Sequence, residues 1–274
     1  MLLSAKLAPT FEYAVLEEFW RAADDLGFYS VANYDHFYGL EDNADPTLEA
    51  WTSLAAMAVV VRRARVSCLV SGVLYRNPAM LAKMAVTVDH ISGGRLDFAL
   101  GAGWHEDEHH GYGYGFPSAA VRVEMLDEAL TVIRRLWTEE SVTFAGRYFA
   151  LRDAIGNPKP LQKPHPPIVV GGEKPKMLRV IAKHADEWNV PNRGDVPAWA
   201  RTSARLDEAC AEVGRDPAQI RRSVQLFIHP QQPGQLDRNL ELLPELASRG
   251  CQHAVLSFYQ PPTPQQLQRC AASL

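Results

Sequence analysis

The stretch IVVGGEKPKMLRVIAKHADEWNV, residues Ile168–Val190, contains a complete strand–helix–strand unit. Its β-branched start, Ile168–Val170, predicts a strand, and Glu187–Val190 predicts a second one. Between them the spacing predicts a helix over Pro175–His184, with proline in the first turn, where its missing N–H costs nothing. Two strands joined by one helix are typical of a parallel sheet, whose strands need a crossover of this length.

The same alternation continues in both directions along the chain. Eight strands are predicted, at Leu2–Leu7, Phe28–Asn33, Arg65–Val70, Arg95–Leu100, Ile168–Val170, Glu187–Val190, Arg221–Ile228 and Ala254–Phe258. The predicted helices follow them: one from Thr10 to Leu26, then Thr47–Val61, Pro78–His90, Ala119–Thr138, Pro175–His184, Val196–Val213, Leu236–Ser248 and Pro264–Ala272.

Eight strand–helix units of about 34 residues each are what a (β/α)8 TIM barrel requires. A doubly wound open sheet is the competing architecture, but the sequence lacks the nucleotide fingerprint typical of it. We therefore predict an α/β TIM barrel formed as one domain by residues 1–274. We also expect an insertion after strand four and an irregular segment, Thr143–Pro164, before strand five.

Composition and charge exclude several classes of function. Of the 274 residues, 47% are apolar and 22% charged, the balance of a soluble globular enzyme. The 28 basic and 32 acidic side chains give a net charge of −4, so neither nucleic acid nor a membrane surface is an expected partner. No apolar run is long enough to span a bilayer, and the apolar run in Met1–Pro9 is too short for a signal peptide.

Cysteine usage points to a reducing compartment. The four cysteines stand far apart, without a Cys-x-x-Cys pair, so neither a disulfide framework nor a zinc knuckle is expected. We therefore expect a cytoplasmic protein. The four positions are Cys68, Cys210, Cys251 and Cys270.

The residues that follow the predicted strands are candidates for the active site, because TIM barrels place their chemistry at the carboxyl ends of the strands. Asp35 and His36 follow strand two, and a histidine exchanges a proton near neutral pH. Gly171 and Gly172 follow strand five, where backbone N–H groups and a helix N-terminus would favour an anion. The other segments are Ser71–Val73, Gly101–Trp104, Pro191–Asn192, His229 and Tyr259.

The run GAGWHEDEHH, residues 101–110, contains two partial motifs. A dinucleotide fingerprint would need a small third residue where Glu106 stands, and that carboxylate would repel a pyrophosphate. The sequence HEDEH, from His105 to His109, matches the zinc-peptidase pattern, but its two central residues are acidic and Gly111 and Gly113 interrupt the helix. We expect a solvated, charged loop over the barrel mouth and no metal.

The longer run AKMAVTVDHISGGRLDFALGAGWHE, residues 82–106, resembles the signature of the bacterial luciferase-like monooxygenase family. The pattern is most similar to the branch of oxidoreductases that depend on coenzyme F420, a deazaflavin. Further matching segments cover nearly the whole chain: YRNP at 75–78, LW at 136–137, GRYF at 146–149, NPKP at 157–160, PHPPI at 164–168 and ADEWN at 185–189.

The resemblance implies a luciferase-like TIM barrel that binds the cofactor across its mouth. It assigns Asp35 to the neighbourhood of the ring and proton transfer to His36. It also places a non-prolyl cis peptide bond at Cys68–Leu69, against the ring. The other implied cofactor contacts are Ser71, Ala102 and Gly103 near the ring and Gly171, Gly172 and Lys174 around the phosphate.

One position departs from the sugar-phosphate dehydrogenases of this branch. The catalytic glutamate that follows their Gly-x-Gly is replaced by Trp104, and Glu106 or His105 could take its place. Glu106 is therefore the second catalytic candidate beside His36. Because of this departure, a sugar phosphate is not carried over as the substrate.

The resemblance leads to an expected function: hydride transfer between coenzyme F420 and a small organic substrate. The alternative is an FMN-dependent monooxygenase that uses O2 and a separate reductase. A zinc hydrolase and a non-catalytic flavin-binding protein are more remote. The family also implies a homodimer paired through helices near strands two and three, where the apolar residues are Trp51, Leu54, Ala55, Ala58 and Val59.

Overall fold

A computed structural model describes residues 1–40, 42–192 and 194–273 of the chain. Its strands are β1 (Leu2–Leu7), β2 (Ser30–Asn33), β3 (Arg65–Cys68), β4 (Ser71–Gly72), β5 (Leu96–Gly101), β6 (Val142–Ala145), β7 (Ala150–Ala154), β8 (Ile168–Gly171), β9 (Glu187–Asn192), β10 (Arg221–Ile228) and β11 (His253–Phe258). Its helices are α1 (Tyr13–Asp25), α2 (Ala50–Val60), α3 (Pro78–Ser92), α4 (Glu106–Gly111), α5 (Ala119–Thr138), α6 (Pro175–His184), α7 (Val196–Val213), α8 (Gln235–Ser248) and α9 (Pro264–Ala271).

Eight of the described strands form a closed parallel barrel. The sheet order is β3-β2-β1-β11-β10-β9-β8-β5, and β3 also pairs with β5, which closes the cylinder. The helices surround the barrel, so the predicted TIM barrel is confirmed. The predicted bounds of α5, α6, α7 and β10 match the observed ones.

Local capping explains where several helices begin and end. Asn77 caps α3 by accepting from the N–H of Ala79, Pro78 fills the first turn, and Gly93 ends the helix in the left-handed conformation. Helix α2 begins at Ala50, later than the predicted Thr47, because the Glu49 carboxylate accepts the N–H groups of the first turn.

Two segments that were expected to be irregular contain regular secondary structure. Residues 143–164 contain part of an antiparallel hairpin, β6–β7, whose turn is held by Glu128 of α5. The Glu128 carboxylate accepts the N–H groups of Arg147, Tyr148 and Phe149 at 2.7–3.1 Å, a contact that sequence spacing does not reveal. The charged run after strand four is helix α4, in which Glu108 is fully buried.

The barrel interior is layered along its axis. Near the amino ends of the strands, His253 bridges Ser4 and Glu187 at 2.7 and 2.8 Å. Above that polar layer lies an apolar layer formed by Ala32, Leu69, Ala99, Val169 and Val255. The third layer, at the carboxyl ends, opens into a cavity. Among the described residues, no helix is long and apolar enough to cross a membrane.

Candidate active site

The cavity at the carboxyl ends of the strands has a volume of about 1320 Å³. Ligand sites commonly occupy ~300–1,000 Å³, so this space accommodates a large ligand together with a small one. Most residues predicted from the sequence line it: Asp35, His36, Leu69, Ser71, Ala102, Gly103, Gly171, Gly172 and Lys174. Of the residues predicted to be catalytic or to bind the cofactor, Cys68 and Glu106 are not among its lining.

His36 is joined to a buried carboxylate from helix α4. Its Nδ1 lies 2.7 Å from Oε1 of Glu108, whose side chain is fully buried. An ionised carboxylate only accepts hydrogen bonds, so Nδ1 carries the ring proton and donates a hydrogen bond to Glu108. The other ring nitrogen, Nε2, is then left as the acceptor that His36 can present to the cavity.

Three further groups donate to Glu108 and keep it ionised. The N–H groups of Phe37 and Tyr38 donate to Oε2 at 2.8 and 3.4 Å, and the Tyr75 hydroxyl donates to Oε1. Burial opposes ionisation, but the hydrogen bond and electrostatic attraction of His36, together with the hydrogen bonds from Tyr75 and Phe37, lower the pKa of Glu108 to about 2. Glu108 is therefore anionic at every pH at which the protein would work.

The predicted carboxylate Glu106 occupies a different position. It is exposed on the same helix, and its Oε1 lies 3.9 Å from Nε2 of His110. Sequence reasoning missed Glu108 because the run HEDEH contains three adjacent acids and does not reveal which one turns inward. Trp104 is 63% exposed at the cavity wall, with its ring 5.4 Å from the His36 ring.

The two histidines of the HEDEH run do not converge as zinc ligands. His109 is buried, donates from Nδ1 to the His105 carbonyl at 2.7 Å, and stacks on the Tyr75 ring at 4.6 Å. Over the described parts of the chain, no three His, Cys, Asp or Glu side chains are placed to hold a metal ion.

Asp35 lies in the cavity wall, but its carboxylate is held by protein groups. Arg76 donates to it through two nitrogens, at 2.6 and 3.1 Å, and the N–H of Gly72 donates at 3.1 Å. Burial raises the pKa of Asp35, and the Arg76 guanidinium opposes that shift. Arg76, which the sequence did not single out, thus ties the end of β2 to the segment before α3.

The non-prolyl cis peptide bond lies at Leu69–Val70, so the predicted position, Cys68–Leu69, is wrong by one residue. Pairing with β2 continues up to Leu69, whose N–H donates to the Asn33 carbonyl at 3.0 Å, so the irregular bond follows Leu69 and does not precede it. The Cys68 side chain faces the core between barrel and helices and is 1% exposed, whereas Leu69 lines the cavity.

The loop after β8 forms another part of the cavity wall. Gly172 has φ of +135°, and a Cβ there would lie 3.2 Å from Met177, so the turn requires glycine. Lys174 precedes helix α6, and Arg238 in the first turn of α8 also lines the cavity. Two cationic side chains at the starts of two helices favour an anionic group in this part of the cavity.

Sequence reasoning also missed Lys6, a buried cation in the cavity lining. The alternation of side chains along β1 could have indicated that Lys6 faces the barrel interior. Leu3, Ala5 and Leu7 are buried in the core outside the barrel, so the alternate residues, Ser4 and Lys6, face the interior.

A sequence model of the family described as luciferase-like monooxygenase matches residues 3–242. The chain belongs to this family. An uncharacterised protein of Mycobacterium tuberculosis is 34% identical over 178 residues, which cover 64% of this chain and 61% of that protein. Pyrimidine monooxygenase RutA of Cronobacter sakazakii is 32% identical over 214 residues, 76% of this chain and 62% of RutA. The chain thus spans about three fifths of the length of these relatives.

Solved structures share the fold over the full length of the chain. The coenzyme F420-dependent tetrahydromethanopterin reductase of Methanopyrus kandleri superposes with a TM-score of 0.84 at 16% identity. The match covers 100% of this chain and 98% of the reductase. Members of the luciferase-like family are oxidoreductases and monooxygenases, and both classes occur among the proteins similar to this chain.

The lining of the cavity fits a flat ring with an anionic tail. Between β3 and β4 the chain bulges at Leu69–Val70, because four residue steps there, Ser67 to Ser71, face three steps of β5. A Cβ on Gly101 would lie 2.8 Å from the Val70 side chain, so the glycine leaves room for this bulge after β3. Leu69 and Ala102 present apolar surface between the two polar walls. In the loop after β8, the Gly171–Gly172 turn and Lys174 could offer backbone N–H groups and a positive charge to a phosphate.

Proposed function

We propose that this protein is an oxidoreductase that transfers a hydride between coenzyme F420 and a small organic substrate. The observation that carries the proposal is the His36–Glu108 pair, in which a cavity-lining imidazole is held by a buried, ionised carboxylate. Proton exchange near a redox cofactor is the chemistry that such a pair can perform.

The residues of this chain would have distinct roles in binding the cofactor and in proton transfer. Gly171, Gly172 and Lys174 would bind the phosphate of the cofactor, while Leu69 and Ala102 contact its ring and exclude water. The bound deazaflavin supplies a carbon that accepts or gives a hydride. His36 takes the substrate proton at Nε2, and Glu108 stabilises the imidazolium through the Nδ1–H hydrogen bond.

The second candidate is an FMN-dependent monooxygenase that uses O2 and a partner reductase. The match to the family described as luciferase-like monooxygenase and the likeness to RutA support it. The same cavity wall would then bind the FMN phosphate, and His36 would again lie beside the ring. The two candidates differ in the cofactor that the cavity prefers.

The proposal includes a homodimer and a cytoplasmic location. Helix α2 is apolar on nearly all sides, and such a helix needs cover on both faces. Its inner face packs in the core through Leu54 and Met57, but Val59 on its outer face is 69% exposed. A second copy paired through this helix would cover that face.

Titration of the purified full chain with F420, reduced F420, FMN and zinc tests the proposal. We expect F420 to bind with a lower dissociation constant than FMN, as followed by fluorescence, and metal analysis to find no stoichiometric zinc. Tighter binding of FMN would favour the monooxygenase. Zinc bound at one equivalent by His105 and His109 would overturn both candidates.

A further inference from the structure

The floor of the cavity contains a cation with no acidic partner among the described residues. Lys6 is 5% exposed, and its Nζ donates to Oε1 of Gln225 at 2.5 Å. The Leu69 carbonyl is 3.5 Å away and the Tyr34 ring centroid 5.7 Å away. Each of these three groups is uncharged, so the ammonium is solvated by dipoles alone.

The titratable group that interacts electrostatically with Lys6 carries no negative charge to balance the ammonium. That group is the Cys68 thiol, and burial raises the pKa of Cys68, so the thiol stays protonated. Burial lowers the pKa of Lys6 to about 7, because the interior solvates an ammonium less well than water does. An anion that enters this cavity would remove that penalty.

Lys6 lies near the expected position of the cofactor ring and not near the expected position of the phosphate tail. Its Nζ contacts the carbonyl of Leu69, the residue that begins the bulge after β3. The cations expected at the tail, Lys174 and Arg238, belong to the walls built by α6 and α8. The cavity thus has two separate positive regions, one at its floor and one at its side.

We propose that the Lys6 ammonium is the counter-charge of the reduced cofactor ring and raises the reduction potential of the bound cofactor. This inference rests on the proposed function. A hydride carries two electrons and one proton, so the ring gains one negative charge when the substrate gives up a hydride. The substrate proton goes to His36, and no bond to Lys6 forms or breaks.

This role predicts a selective effect on the two redox states. The charge of the ring changes on reduction, whereas the charge of the phosphate tail does not. A cation beside the ring therefore favours the reduced form, and a cation beside the tail favours both forms equally. The ratio of the two dissociation constants sets the shift in potential of the bound cofactor.

The experiment compares Lys6→Met with Lys174→Met in the full chain. Methionine approximates the length of lysine and is apolar, so Lys6→Met removes a buried charge without opening a cavity. Dissociation constants for oxidised and reduced F420, and for FMN in both states, are measured by fluorescence and absorbance. The midpoint potential of each complex is measured against reference dyes, and thermal unfolding confirms that each variant is folded.

We expect Lys6→Met to weaken binding of the reduced form at least tenfold more than that of the oxidised form. For a two-electron couple this lowers the midpoint potential by about 30 mV for each factor of ten. Lys174→Met should weaken both forms by the same factor and leave the potential unchanged.

Two results would overturn the inference, and they differ. If the cofactor binds the wild type but Lys6→Met changes both redox forms equally, or neither, Lys6 is not the counter-charge and the proposed function stands. If neither F420 nor FMN binds the wild-type chain, the proposed function fails and the role of Lys6 fails with it.

Discussion

The substitution Glu108→Gln separates the hydrogen-bonding role of this side chain from its charge. In the wild type, Oε1 accepts from His36 and Tyr75, and Oε2 accepts the N–H of Phe37. Glutamine has one oxygen and one NH2 group. If its oxygen keeps the backbone N–H of Phe37, its NH2 faces His36 and can only donate.

The imidazole must then accept at Nδ1 and carry its proton on Nε2, the opposite tautomer. The variant therefore loses a hydrogen bond to a charged acceptor, which is worth about 1.5–3 kcal/mol. If His36 becomes an imidazolium as the substrate is oxidised, the whole of this loss falls on that step. Since ~1.36 kcal/mol is a factor of ten in rate, turnover should fall by about 10- to 150-fold.

The same substitution should change the response to acid. Because the pKa of Glu108 is lowered from 4.5 to about 2, ionised Glu108 stabilises the fold above its ordinary pKa. That contribution is lost as the pH falls through about 2. Glu108→Gln should therefore be less stable than the wild type at neutral pH, with a difference that shrinks as the pH falls below 4.5.

Turnover, the ¹⁵N chemical shifts of His36 and denaturation with urea measure these effects. Asp107→Asn, an exposed neighbour on the same helix, is the matched control, and Glu106→Gln tests the other carboxylate that the sequence suggested. Both should keep wild-type turnover. A folded, cofactor-loaded Glu108→Gln enzyme with undiminished turnover would refute the reasoning, as would an equal loss in Glu106→Gln.

Three further substitutions test other parts of the site. His36→Asn should lower turnover by about 10²–10⁴-fold, while the cofactor dissociation constant changes only a few fold. A hydride-transfer rate in stopped flow equal to that of the wild type would show that His36 is not the proton carrier. Gly172→Ala should weaken cofactor binding and lower the unfolding temperature, because the φ of +135° at residue 172 is strained for alanine and the new Cβ would contact Met177. Unchanged binding would contradict the phosphate-loop assignment. Val59→Arg should convert a dimer to monomers by light scattering, and a wild-type mass near 30.5 kDa would argue against the dimer itself.

Local sequence patterns predicted most of the barrel because each strand–helix unit forms from nearby residues. The period of apolar residues and the proline in the first turn defined α6 and α7 to the residue. The hairpin β6–β7 escaped prediction because its turn depends on Glu128, which lies about 20 residues earlier on α5. The division of the whole chain into one domain stays a prediction.

The candidate site divides in the same way. Strand ends and glycines located Asp35, His36 and the Gly171–Gly172 loop, and the resemblance to the family located the bulge to within one residue. Sequence alone, however, left Glu106 and Glu108 equivalent, because a charged run on a short helix has no apolar period to orient it.

Sequence patterns were sufficient to predict the eight barrel strands, the helices that follow them and the position of His36 at a strand end, and the resemblance indicated the family. The buried polar contacts could be seen only in the folded barrel: Glu108 with His36 across 72 residues, Arg76 with Asp35 across 41, and Lys6 with the uncharged Gln225 across 219. Backbone conformation depends largely on neighbours along the chain. The pairing of buried polar groups depends on their desolvation and on the distances between them, and both are set only when the barrel closes.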